Sequence, residues 1–261
     1  MHDLSPDHGS SEAGAAALLR RELDTGDLVA VYQPFINTET GAVQGYEAFI
    51  RRKAALHEGA ASFLNPVAML DLICDIDEWI LQTSLRQLST WRFQSASATT
   101  LMMSVNLAER HVAHPHVVDS VGLALKLSGI PPDRLMLDVH PSVLTEPTSI
   151  TNIKALRRQS VCICLDSLDS DDTRGLDFRG LVDIVKLNPK WLDDTRTTTD
   201  VLEGMVAQAQ AAGLPVVAGG IETQAQLLKA QELGCEWVQG FYFGAPSPAP
   251  YITAEGGWMR E

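Results

Sequence analysis

Apolar residues recur along this chain in two ways. Some form short runs rich in β-branched side chains, and others recur every third or fourth position over longer stretches. The short runs read as strands and the longer ones as amphipathic helices. Strands are predicted over Val29–Ile36, Val43–Arg51, Leu101–Leu107, Leu135–Val139, Val161–Leu165, Val182–Leu187, Pro215–Ala218 and Trp237–Gln239. Helices are predicted over Ala15–Asp24, Pro66–Trp91, Val117–Ser128, Ile150–Gln159, Val201–Ala212 and Gln224–Leu233. The second of these sets Met69, Leu72, Ile73, Ile76, Ile80, Leu81 and Leu88 on one broad face. Gly129, Gly213 and Gly234 stop three of the helices, as a residue free to adopt positive φ does. The first two strands are joined by the turn-rich Asn37–Gly41, which suits a hairpin. Beyond Leu101 strands alternate with helices, the signature of parallel βα units. About eight strands in 261 residues favour a closed (β/α)8 barrel, which typically takes about 250 residues. No Gly-rich dinucleotide fingerprint or P-loop supports an open sheet. Residues 1–14 are polar and contain Gly and Ser, so a flexible leader is expected there, with a single domain over 15–261 and an irregular cap from Pro246.

Composition narrows the function. The formal charge is −13, from 20 Lys and Arg against 33 Asp and Glu. Broad binding to nucleic acid or to anionic lipid needs a basic face and is not expected. A small phosphorylated ligand needs only a few local cations. Cys74, Cys162, Cys164 and Cys235 have neither zinc spacing nor a secreted disulfide pattern, and Cys162 and Cys164 read as small core residues on one strand face. No apolar run is long enough to cross a bilayer and the start carries no signal-peptide pattern, so a cytoplasmic protein is expected.

In a barrel the chemistry gathers where strands finish. The polar residues there are Glu47, Asn106, Asp138, Asp166, Lys186, Glu222 and Gln239. Singly, each has an ordinary structural reading as a cap, a turn former or a solvated end. Their recurrence at one end of successive strands points instead to a site. Carboxylates and amides are donors for Mg²⁺ or Mn²⁺ rather than zinc. Glu47 and Arg51 stand four apart and so share a strand face. They read either as a surface ion pair or as an anionic group beside a phosphate-binding fork. His111, His114 and His116 read as a solvated turn.

From about Leu28 to Pro248 the chain resembles the EAL domain family, the cyclic-di-GMP phosphodiesterase fold. Tyr32-Gln33-Pro34 resembles the family's opening strand. Glu47-Ala48-Phe49-Ile50-Arg51 resembles its Glu-Ala-Leu motif and following Arg, with Phe for Leu. Ser104-Val105-Asn106-Leu107, Val217–Thr223 and Leu233–Phe241 resemble its later motifs. The resemblance implies a modified TIM-type barrel whose first strand runs antiparallel. It also implies a two-metal site that activates water against a phosphodiester, by the charge logic of paired cations. In that scheme Glu47, Asn106 and Asp166 match metal ligands, and Asp138 stands where the family has Glu. Lys186 matches the active-site lysine, and Glu222 and Gln239 match later ligand-site residues.

Three departures weigh against turnover. The second of the family's paired aspartates is Ser167, the first Glu of its Ala-Glu-Gly-Val-Glu is Gly219, and the Glu after its Glu-x-Thr is Pro141. The loop Asp169–Gly175 has also lost the family's pattern. Two missing carboxylates leave a pair of divalent ions poorly compensated. The chain is therefore expected to be a degenerate phosphodiesterase without enzymatic activity, its metal residues Glu47, Asn106, Asp138 and Asp166 vestigial. No cofactor is expected to be required, with Mg²⁺, Mn²⁺ or Ca²⁺ held weakly at most. Gln33, Arg51, Glu222 and Gln239 remain to hold cyclic-di-GMP, so a receptor that binds without cleaving is expected. The alternative is a protein-interaction adaptor that has lost the nucleotide. A partner protein and a homodimer are further expectations.

Overall fold

In the computed structural model, residues 8–59, 62, 72–168, 180–193 and 199–249 are described. A helix, α1 (His8–Thr25), leads into a hairpin of β1 (Leu28–Asn37) and β2 (Val43–Arg52). The two strands pair antiparallel, with Gln33 opposite Glu47. The side chain of Asn37 accepts from the backbone N–H of Glu39 and Thr40, which shapes the turn.

The chain then winds through α2 (Ile73–Gln94), β3 (Met102–Asn106), α3 (Glu109–Val112), α4 (Val117–Ser128), β4 (Leu135–Val139), α5 (Pro147–Arg158), β5 (Cys162–Leu168), β6 (Ile184–Leu187), α6 (Lys190–Asp193), α7 (Thr199–Ala211), β7 (Val216–Ala218), α8 (Gln224–Glu232) and β8 (Trp237–Gln239). Strands β2 to β8 pair parallel in sequence order. β1 closes the ring by pairing antiparallel with both β2 and β8. The fold is thus the expected α/β barrel with one reversed strand.

Two apolar layers follow from the alternation of strand side chains. Outward positions such as Met103, Val105, Leu137 and Ile163 belong to the main core with Leu81, Leu85, Leu88 and Ile153 of the helices. Inward positions form a second, smaller cluster of Phe35, Met136, Cys164, Ile184 and Val217, with Met102, Cys162 and Trp237 against it. This inner plug fills the barrel below its mouth. Cys162 and Cys164 are core residues on one strand face, as expected, and burial pushes the Cys162 thiol up to about 12.

Several boundaries differ from the sequence reading. α1 begins at His8 rather than Ala15, so part of the expected leader is helical. Its Glu12, Ala13 and Ala15–Ala17 are good helix formers that extend the run. Residues 1–7, the stretch 66–71 of the expected second helix and the loop Asp169–Gly175 lie outside the described residues. Where an irregular cap was expected, β9 (Ser247–Pro248) pairs antiparallel with Val31 and Tyr32 of β1. No described helix is long and apolar enough to cross a membrane.

Candidate functional site at the barrel mouth

Continuing each inward-facing row past the apolar plug brings a polar layer to the mouth. Met102 and Ser104 precede Asn106 on β3 by four and two residues, and Met136 precedes Asp138 on β4, Cys164 precedes Asp166 on β5 and Ile184 precedes Lys186 on β6 by two each. Period two therefore delivers all of them to one end of one face. The register sets Gln33 opposite Glu47, Glu47 beside Ser104, and Asn106 beside Asp138.

Lys186 stands at the centre. Its Nζ lies 2.6 Å from Glu47 Oε2, 3.4 Å from Asp138 Oδ2 and 3.8 Å from Asp166 Oδ1. Asn106 Nδ2 donates to Glu47 Oε1 at 2.7 Å, and Ser104 Oγ donates to Asp138 Oδ1 at 2.6 Å. Glu47, Asp138 and Lys186 are buried. Burial by itself would lower the lysine's pKa, but Glu47, Asp166 and Asp138 outweigh it and hold the ammonium well above its ordinary range. Burial pushes Asp138 up to about 7 against the pull of Lys186, with the Glu47 and Asp166 charges adding to the rise. A buried carboxylate bonded to a serine hydroxyl loses that bond's full worth when the hydroxyl goes. Ser104→Ala is expected to destabilise the chain by about 2 kcal/mol in a denaturant titration.

The oxygen donors here are of the kind a hard cation takes. The Lys186 ammonium already occupies the space between three carboxylates. Among the described residues no group of three or more His, Cys, Asp and Glu is set to hold a metal. The negative charge of the cluster is compensated by a side chain.

Two cavities open on this layer. One, of about 300 Å³, is lined by Gln33, Glu47, Lys186, Gly219, Glu222 and Gln239. The other, of about 490 Å³, runs toward α2 past Ile73, Ile76, Ile80 and Asp77. Phe49, Asn106, Asp166 and Ser167 line both. Gln239 is 5% exposed, and its Nε2 has no hydrogen-bond partner among the described residues. Gly240 follows at a position where any Cβ would run into the backbone of Ile221, so the β8 end can come this close only with glycine.

Of the expected site residues, Gln33, Glu47, Asn106, Asp138, Asp166, Lys186, Glu222 and Gln239 all line one cavity or the other. Arg51 is not among the residues lining either. Its guanidinium donates to the carbonyl of Ile50 and lies 5.5 Å over the ring of Phe49. Sharing a strand face with Glu47 does not bring it into contact, because four residues of strand span about 13 Å. The expected solvated histidine turn is corrected at one member. His111 is 1% exposed, with Nδ1 3.3 Å from Asp77 Oδ2, because α3 folds its third residue inward against α2.

A family model described as the EAL domain matches residues 16–246. The chain belongs to the EAL domain family. This EAL domain is 29% identical over 244 residues to the bifunctional diguanylate cyclase/cyclic di-GMP phosphodiesterase MucR of Pseudomonas aeruginosa, across 90% of this chain and 35% of MucR. It is 27% identical over 238 residues to the cyclic di-GMP phosphodiesterase NbdA of the same species, across 88% of this chain and 30% of NbdA. The chain thus spans about a third of the length of these relatives. A solved PaMucR phosphodiesterase in complex with c-di-GMP matches at a TM-score of 0.81 and 28% identity, covering 91% of this chain and 98% of that one. The FimX EAL domain of Xanthomonas citri, in complex with c-diGMP, matches at 0.79 and 20% identity, over 92% and 95%, a likeness of fold.

These relatives correct one expectation. Absence of enzymatic activity is the expectation overturned, since MucR and NbdA are named as cyclic di-GMP phosphodiesterases. Ser167 and Gly219 are not grounds for that conclusion. Glu47, Asp138, Asp166 and Lys186 of this EAL domain are gathered in one cluster.

Proposed function

We propose that this EAL domain binds cyclic-di-GMP across the barrel mouth, with one phosphodiester beside Lys186. The observation that carries the reading is the pair of adjoining cavities meeting over Phe49, Asn106 and Asp166, with the buried Lys186 ammonium lining the smaller one. The fold-level likeness to EAL structures holding c-di-GMP supports it. The bond brought beside Lys186 is the kind on which the phosphodiesterase relatives act.

Each part of the ligand finds suitable chemistry. A phosphate takes the lysine charge. A base meets Phe49 and the exposed ring of Phe241, and edge groups of guanine meet the amides of Gln33 and Gln239. Because Lys186 already compensates the carboxylates, binding does not require a divalent ion, and Mg²⁺, Mn²⁺ or Ca²⁺ are weak occupants. Chelation with EDTA is therefore expected to leave the affinity unchanged.

Gln239 gives the sharpest test. Its buried Nε2 has no hydrogen-bond partner among the described residues, and a ligand acceptor would supply one. Gln239→Leu is expected to weaken cyclic-di-GMP binding about tenfold, the worth of one good hydrogen bond. Thermal stability should hold or rise, because the variant removes an unsatisfied buried group. Affinity equal to that of the natural chain would overturn this role for the cavity.

A further inference from the structure

The turn that presents Asn106 is held from outside the barrel. β3 ends at Asn106, Leu107 donates its N–H to the carbonyl of Asp138, and α3 starts two residues later. Ala108 occupies the N-cap of α3 in an extended conformation and has no side-chain oxygen to offer. The acceptor comes from α2 instead. Asp77 Oδ2 accepts from the Ala108 backbone N–H at 2.8 Å and lies 3.3 Å from His111 Nδ1. Asp77 is 6% exposed and His111 1%, so one buried carboxylate oxygen ties both ends of the first turn of α3 to α2.

Asp77 sits on the apolar stripe of α2, between Ile76 and Ile80. A charged group buried there is costly unless its partners justify it. Those partners are backbone and side chain of the segment that follows Asn106, whose own Nδ2 holds Glu47 Oε1. The path from α2 to the mouth is therefore short: Asp77, Ala108, Asn106, Glu47. We propose that Asp77 is a positioning residue, fixing the Asn106 amide at the barrel mouth through the backbone of Ala108. It lines the edge of the larger cavity but acts through Asn106.

Asn152 of α5 supplies the control. Its Nδ2 donates to the carbonyls of Val112 and His114 at 2.8 and 3.1 Å, anchoring the far end of α3. It too is buried, and it makes no hydrogen bond to Asn106, Leu107 or Ala108.

The test uses two readouts on the full chain. The first is the Asn106 side-chain amide signal in ¹⁵N spectra of the ligand-free protein, assigned by its loss in Asn106→Asp. The second is cyclic-di-GMP affinity by calorimetry, which rests on the function proposed above, as the first does not. In Asp77→Leu the Asn106 signal should shift or broaden and the affinity fall at least about tenfold. In Asp77→Asn, whose amide oxygen still accepts from Ala108, both should stay near the natural chain. In Asn152→Leu both should stay natural despite lost stability. Should Asp77→Leu fail to fold, Asp77→Glu, which keeps the charge and moves the acceptor by one methylene, is expected to shift the same signal. An Asn106 signal unchanged in Asp77→Leu, or in Asp77→Glu where that variant replaces it, or changed equally by Asn152→Leu, overturns the positioning role. Absence of any cyclic-di-GMP binding by the natural chain would instead overturn the proposed function, and the amide signal would still decide the role of Asp77.

Discussion

Lys186→Met is expected to cost about 3–5 kcal/mol of folding free energy at pH 8, the usual penalty for removing one partner of a buried ion pair. The reason is the company the ammonium keeps. Glu47 and Asp138 are almost wholly buried, and Lys186 Nζ lies 2.6 and 3.4 Å from them. Without it, like charges face one another in a poorly solvated mouth. The pH dependence has a definite sign. Burial already lifts Asp138 to about 7 in the folded chain, above its unfolded value near 3.9. The folded state thus binds more protons between those values, and stability falls as pH rises through that window. Removing Lys186 takes away the charge that pulls Asp138 down and so lifts it further, and the loss should be smaller at pH 5 than at pH 8. Denaturant titrations at the two pH values measure it. A loss under about 1 kcal/mol at pH 8, the level of an exposed pair, would mean that Lys186 is not the counterion of the cluster.

Restoring both family carboxylates, Ser167→Asp with Gly219→Glu, is expected to raise Mg²⁺-dependent hydrolysis of cyclic-di-GMP at least about 10²-fold. One preorganised electrostatic group is commonly worth 10²–10³ in rate. Both positions accept the change. A Cβ on Gly219 would meet only ordinary contacts, the nearest being Pro189 Cγ at 3.7 Å and Lys186 Cε at 3.8 Å. Ser167 has φ 57°, a left-handed conformation that Asp tolerates better than most side chains. The added carboxylates would bring two more oxygen donors of the kind a divalent ion takes, so the variant should bind Mn²⁺ more tightly. Initial rates of linear product formation, natural chain against double variant, check the prediction. An unchanged rate would show that these two positions do not limit the chemistry.

The barrel was legible because its signals are local and repeated. Gly129 takes positive φ at the end of α4, and Gly213 and Gly234 also take positive φ, just past α7 and α8. Strand rows of period two delivered Glu47, Asn106, Asp138, Asp166 and Lys186 to one end. Ser104 was less visible, since a small polar residue inside an apolar strand carries no charge signal. Its position two before Asn106 already set it on the inward face. Asp77 and His111 needed three dimensions. An acid on the apolar stripe of α2 is a warning that a partner exists, but only the packing of α3 names Ala108 and His111. Arg51 failed differently, because sharing a strand face is a statement about direction and not about distance.

The most direct measurement is calorimetric titration of the purified chain with cyclic-di-GMP, with EDTA present and again with Ca²⁺. Saturable binding at micromolar concentration or tighter is expected in both, weakened about tenfold by Gln239→Leu. No heat of binding under either condition, from a chain shown to be folded, would contradict it.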